Sequence, residues 1–158
     1  MSARAQPNSH VPVVRLILGA ILALAQPAGA QVQEKSLYER LGGVYPIAVV
    51  VDEFIDRLLV NDVLNGNPAI AAARSRVPAP GLKHHVTTLV CMATGGPCTY
   101  TGRTMKESHA HLNITETEWQ EMLGVFRGVL TDHGVPMKEQ GELVAIVEST
   151  KGDIVAGK

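Results

Sequence analysis

The chain has 158 residues, of which 46% are hydrophobic and 4% aromatic, and this length and composition suit one domain with a single core. Its 14 basic and 15 acidic residues give a net charge of −1. No two Lys or Arg residues are adjacent, so the concentrated positive charge on which nucleic-acid binding depends is missing, and we expect no nucleic-acid partner.

The first thirty residues have the layout of a secretory signal peptide. Arg4 and Arg15 precede an apolar run over 16–25, and Ala28 and Ala30 take the −3 and −1 positions relative to a signal-peptidase cleavage site. An apolar run of about ten residues is too short to span a bilayer, so we expect no stable membrane span. The sequence predicts cleavage after Ala30, a mature domain over 31–158 and export, most readily to the periplasm. The alternative is an uncleaved signal that anchors the chain to a membrane.

From residue 31 onward, apolar residues recur at three- and four-residue steps, and strand signals are weak. The predicted helices cover 36–41, 45–60, 82–94 and 104–112, a long segment opened by Thr115 and ended by Gly134, and a last segment from Pro136 to about 149. Between breaks in the pattern at 65–68 and 77–81, residues 69–76 are predicted to be loosely helical. The first and the long helix begin with capping boxes, Ser36 with Glu39 and Thr115 with Glu118. The sequence therefore predicts an all-α domain.

One histidine lies on the apolar face of the short helix over 104–112. His109 falls on the same side as Met105 and Leu112, because these residues are spaced by three or four positions. His111 is turned about 200° from His109. We therefore predict that His109 points inward and His111 outward.

A second histidine, His85, belongs to an apolar stripe on the helix over 82–94. The other members of this stripe are Leu82, Val86, Leu89 and Ala93. Its neighbour His84 is turned about 100° away. His85 is therefore predicted to point inward as well.

The surroundings of His85 and His109 indicate which kind of iron or zinc site the chain could form. A zinc or di-iron site would need further carboxylate or thiolate ligands, and neither stripe supplies them, since Cys91 lies on the opposite side of its helix from Leu82. A haem needs only one or two imidazoles in an apolar slot. The sequence contains no C-x-x-C-H motif, which excludes the usual covalent c-type attachment. Whether Cys91 and Cys98 form a disulfide stays open, although export would favour it.

The order of short motifs points to one family. The motifs are Ser36-Leu-Tyr-Glu-Arg-Leu-Gly-Gly43, Val51-Asp-Glu-Phe54, Ala93-Thr-Gly-Gly-Pro97, Tyr100-Thr-Gly-Arg103, Met105-Lys-Glu-Ser-His109 and Gly134-Val-Pro136. Together, over about 36–155, they resemble the truncated haemoglobins of group I, the N type. The resemblance implies a two-over-two helical sandwich around non-covalently bound haem b, with His109 as the proximal ligand of the iron.

The resemblance also implies roles for the residues around the cofactor. Met105 and Tyr100 are expected to contact the haem, and Arg103 or Lys83 to meet a propionate. The remaining candidate contacts are Phe54, Ile55, Leu82, Val86 and Leu89.

The distal side departs from the family pattern. Ile55 stands where relatives usually have a tyrosine that hydrogen-bonds oxygen, and Leu82 and Val86 offer no donor. Some relatives have an iron-binding histidine at the position of His85. Two interpretations follow: His85 is a sixth iron ligand, or it lies near the haem edge and leaves the iron five-coordinate.

The functional prediction is reversible binding of a diatomic ligand, with oxygen, nitric oxide and carbon monoxide as candidates. The alternative is a bis-histidine electron carrier served by an unidentified electron donor, or a weak peroxidase. A helical module without a cofactor is a more distant alternative. We expect ligand binding rather than catalysis, and nitric-oxide dioxygenation and peroxidase-like activity are the enzymatic alternatives.

Overall fold

A computed structural model of the chain describes residues 34–155, and within this range the backbone forms helices and no β-strand. The helices are α1 (Leu37–Arg40), α2 (Val44–Val60), α3 (Asp62–Asn65), α4 (Pro68–Arg74), α5 (Ala79–Ala93), α6 (Met105–His109), α7 (Glu116–Asp132), α8 (Met137–Glu148) and α9 (Lys151–Ile154). None of these helices is long and apolar enough to cross a membrane. The predicted signal peptide lies outside the described residues. The all-α prediction is confirmed.

Two helix pairs build the fold. α2 packs against α5, α7 packs against α8, and α2 also contacts α7, so that the two pairs lie on each other. On the α2 side, the buried residues Ile47, Val51 and Ile55 form a cluster, and apolar side chains of α5 pack against it. The buried apolar residues of α7 are Trp119, Leu123, Phe126, Val129 and Leu130, whose three- and four-residue spacing puts them on one face of the helix.

The capping boxes fix where α1 and α7 begin. The Ser36 side chain accepts a hydrogen bond from the Glu39 amide, and Thr115 accepts one from the Glu118 amide, with both glutamates bonding back to the cap. After α1, Gly42 takes a φ of 88°, a left-handed conformation that favours glycine, and the chain turns into α2. Both predicted helix starts are confirmed.

Two helix boundaries differ from the prediction by three residues. α5 begins at Ala79 and not at Leu82, because Pro80 sits in the first turn, where backbone amides have no partner inside the helix and a proline is tolerated. α6 ends at His109 and does not reach Leu112. The Leu112 amide donates to the His109 carbonyl, only three residues back, which makes a tighter turn than an α-helix. The one-turn helices α3 and α9 are too short to show a periodicity and were missed.

A disulfide joins the end of α5 to the loop that follows it. Cys91 and Cys98 are bonded, with their Cα atoms 5.8 Å apart, and Cys91 is fully buried. Gly96 lies so close that an added Cβ would sit 2.7 Å from the Cys91 carbonyl oxygen and 2.8 Å from its sulfur, so only glycine fits there. The pairing that the sequence left open is therefore present in the structure.

Candidate functional site

The candidate site is built around α6, a helix of five residues that carries His109 at its last position. The helix starts with a third capping box, in which the Thr104 side chain accepts from the Glu107 amide and the Glu107 carboxylate accepts from the Thr104 amide at 3.0 Å. These hydrogen bonds from Thr104, the backbone one first, lower the pKa of Glu107. A helix of one turn is only marginally stable by itself, so its ends determine its position.

The His109 imidazole is oriented by the backbone of its own helix. Its Nδ1 lies 2.8 Å from the Met105 carbonyl oxygen and 3.0 Å from the Ser108 hydroxyl. A carbonyl oxygen only accepts hydrogen bonds, so Nδ1 carries the proton and the lone pair of neutral His109 is on Nε2. An imidazole held in this way through Nδ1 is the arrangement that metal-ligating histidines usually show.

A partly open cavity of about 240 Å³ lies against His109. It is lined by Lys106, His109, Ala110, Asn113, Asp153, Ile154 and Val155. The short helix α9 packs against α6, and an isolated β-bridge joins Ile114 to Val155. His109 itself is half-buried, whereas His111 is exposed, as predicted.

The predicted distal wall is assembled from α2 and α5. Ile55 is 3% exposed and belongs to the α2 cluster against which Leu82 and Val86 of α5 pack. Phe54 is half-buried and meets the ring of Phe126 edge-on, with centroids 5.2 Å apart. This wall is apolar, and the side chains of Ile55, Leu82 and Val86 carry no hydrogen-bond donor.

His85 does not point inward as predicted. It is exposed, and its ring meets the edge of the Tyr100 ring, with centroids 6.2 Å apart and an interplanar angle of 83°. The face of α5 that packs on the α2 cluster carries Leu82, Val86 and Val90, and His85 lies at the border of that face. Leu89, the other predicted contact on this side of α5, is half-buried.

The two predicted propionate-binding cations have different surroundings. The Lys83 ammonium forms ion pairs with Asp52 at 2.7 Å and with Asp56 at 2.8 Å, and these contacts raise the pKa of Lys83, Asp52 contributing most. Arg103 is exposed and makes no ion pair within 4.0 Å with the residues that the structure describes. The Tyr100 hydroxyl donates to the Arg103 carbonyl at 2.8 Å, which ties these two residues together.

Two features of the site were not predicted from the sequence. The capping box of α6 was readable as Thr-x-x-Glu at 104–107 but was not recognised. The Ser108 hydroxyl beside His109 Nδ1 has no sequence signal, because its contact depends on side-chain rotation at the end of a helix.

Comparisons with known proteins agree with this geometry. Residues 36–156 match the family model of the bacterial-like globins. A group 1 truncated haemoglobin of Synechocystis is 31% identical over 116 residues, which cover 70% of this chain and 88% of that protein. The chain belongs to the bacterial-like globins, as a group 1 truncated haemoglobin.

Other relatives of this truncated haemoglobin are more distant in sequence. The group 1 truncated haemoglobin GlbN of Mycolicibacterium paratuberculosis is 29% identical over 123 residues, 78% of this chain and 86% of that protein. The truncated haemoglobin of Tetrahymena pyriformis, solved in its Fe(III) form, superposes with a TM-score of 0.68 at 21% identity and covers 78% of this chain and 100% of that one. The similarity to that structure confirms the predicted two-over-two globin fold.

Proposed function

We propose that this truncated haemoglobin binds haem b without a covalent bond and reversibly binds a diatomic gas, with His109 as the proximal ligand. The observation that carries the proposal is the hydrogen bond from His109 Nδ1 to the Met105 carbonyl at 2.8 Å. It holds the imidazole in the tautomer whose Nε2 lone pair is free to bind iron.

The residues that the family resemblance predicts as haem contacts include the groups that this cofactor needs. A haem needs an imidazole, apolar surface for the macrocycle and a cation for its carboxylates. Half-buried apolar side chains supply the surface: Phe54, Leu82, Val86, Leu89 and Met105. Arg103 is the better propionate partner, because Lys83 is already paired with two carboxylates of α2.

The apolar wall determines how a gas would be held. Haem b, when bound, would supply an iron that can bind a small gaseous ligand. Dioxygen gains more than carbon monoxide from a neighbouring hydrogen-bond donor, because more negative charge develops on it. Ile55 is buried, Leu82 and Val86 pack against its cluster, and none of these three side chains can donate a hydrogen bond. We therefore expect weak retention of oxygen and little nitric-oxide dioxygenation.

His85 supports a second candidate function, single-electron transfer or weak peroxidase activity with an unidentified electron donor. Neither ring nitrogen of His85 has a hydrogen-bond partner within residues 34–155, and the residue lies at the border of the wall. Either nitrogen is thus available to serve as a sixth iron ligand. A bis-histidine haem would change its coordination little between oxidation states, which suits an electron carrier.

Export is part of the proposal. The predicted signal peptide and the Cys91–Cys98 disulfide both favour an oxidising compartment, since disulfides persist outside the reducing cytosol. We propose the periplasm as that compartment. Retention of the uncleaved signal as a membrane anchor is the alternative.

The proximal role of His109 is tested by replacement. We expect His109→Ala to abolish specific haem binding or to leave it weak and heterogeneous, because apolar contacts alone do not fix iron coordination. The measurement is haem titration followed by the Soret absorbance. His111→Ala is the matched control and should bind haem like the wild type, since His111 is exposed. Unchanged haem stoichiometry and spectrum in His109→Ala would contradict the proposal.

The apolar wall is tested by adding a hydroxyl. We expect Ile55→Tyr to release dioxygen roughly fivefold to tenfold more slowly than Ile55→Phe, the range that one net hydrogen bond of about 1 to 1.5 kcal/mol provides. The phenylalanine variant matches the tyrosine in size, so the ratio of the two off-rates, measured by stopped flow, isolates the hydroxyl. Equal off-rates would show that residue 55 does not face the bound gas.

The role of His85 separates the two candidate functions. If His85 binds iron, only molecules in which it has detached accept a gas, so carbon monoxide binding is slow and His85→Ala accelerates it. His84→Ala is the control, because His84 is also exposed but, as the preceding residue of α5, points about 100° away from His85 around the helix axis. A ferrous wild-type protein that is already five-coordinate and high-spin, with a carbon monoxide on-rate unaffected by His85→Ala, would remove the electron-carrier candidate.

A further inference from the structure

The turn that follows His109 is held by a residue from a distant part of the chain. After α6, the Leu112 amide donates to the His109 carbonyl at 2.9 Å, and Asn113 takes a φ of 50° before the chain reaches Ile114. The Leu112 carbonyl accepts a hydrogen bond of 2.9 Å from the side-chain amide of Asn67. Asn67 therefore bonds the turn that closes the helix of the proximal histidine.

Asn67 is itself fixed from two sides. Its Oδ1 caps α4 by accepting from the amides of Ala69 at 2.9 Å and Ile70 at 3.4 Å. Its Nδ2 is the donor to the Leu112 carbonyl. One side chain thus links the start of α4 to the turn after α6.

Side-chain packing reinforces the same link. Ile70 of α4 and Leu112 of the turn both pack against the buried cluster of Ile114, Trp119 and Leu123. The polar contact of Asn67 therefore lies beside an apolar one between the same two segments. Because the five-residue α6 is too short to be stable alone, its direction depends on the capping box at its start, on α9 packed against it and on this contact at its end.

We infer that Asn67 is a positioning residue for His109, which sets the orientation of the imidazole toward the haem by holding the Leu112 carbonyl. This inference rests on the proposed function, because it assigns an orientation relative to a bound haem. Asn67 touches neither His109 nor the reacting atoms and acts through the backbone of the turn.

The test uses two matched serine variants. Asn67→Ser keeps a cap for α4, since serine accepts from the same amides, but its side chain is too short to replace the donor to Leu112. Asn61→Ser is the control: Asn61 also caps a helix, accepting from the Leu64 amide at 3.0 Å, and its side chain also donates one hydrogen bond to a distant residue, Glu121 of α7, at 2.7 Å. The two variants therefore lose similar contacts, but only Asn67 adjoins the turn after His109. Asn67→Asp and Asn61→Asp form a second pair with the caps retained.

The first readout uses the cofactor-free protein and needs no haem. Loss of one net hydrogen bond at the turn should raise the exchange rate of the Leu112 amide roughly fivefold to tenfold in Asn67→Ser, and leave it near the wild-type rate in Asn61→Ser. Hydrogen exchange followed by NMR measures both. Equal exchange at Leu112 in the wild type and in both variants, or an equal rise in both variants, would overturn the inference.

The second readout uses the haem-loaded ferric protein with cyanide, which occupies the distal side and removes any effect of His85. The hyperfine-shifted proton signals of the His109 ring report its orientation, and we expect them to move or to split in Asn67→Ser but not in Asn61→Ser. Unchanged signals beside faster Leu112 exchange would show that Asn67 holds the turn without positioning the imidazole, which overturns the inference and leaves the proposed function intact. Failure of the wild type to take up haem would instead remove the proposed function, and the inference with it.

Discussion

The hydrogen bond between His109 Nδ1 and the Met105 carbonyl is the interaction on which the proposed chemistry depends. It fixes the orientation of the imidazole on a five-residue helix. The four-residue spacing of one helical turn brings the ring of His109 to the carbonyl oxygen of Met105. The capping box at Thr104 fixes where this helix begins, and Asn67 holds the turn in which it ends. Residues far apart in the sequence therefore serve to place one nitrogen atom.

The predicted distal wall is held at both ends of α5. α5 is attached to α2 near its start by Lys83, which bridges Asp52 and Asp56, and is tied to the following loop near its end by the disulfide of Cys91. Between these attachments, the apolar face of α5 packs on the buried cluster of α2. The result is a wall without a hydrogen-bond donor over its buried part, so that ligand retention in this globin would depend on the iron and on His85.

Some elements of the structure could be predicted from the sequence and others could not. Helix starts were predictable wherever a capping box marked them, and the inner face of α7 followed from its periodicity, because both signals are local. The exposure of His85 was not predictable, since it depends on how α5 is rotated against α2. Asn67 was missed for a similar reason: its partner, Leu112, lies 45 residues away along the chain, and no sequence pattern records such a contact.

The most direct test of how His109 is held is the protonation of its ring, measured by nitrogen-15 NMR on the cofactor-free protein at a pH where the imidazole is neutral. We expect His109 to carry its proton on Nδ1, because the Met105 carbonyl accepts it, and the exposed His111 to show a mixture of the two neutral tautomers. A His109 ring protonated mainly on Nε2, or one that cannot be told from His111, would contradict it.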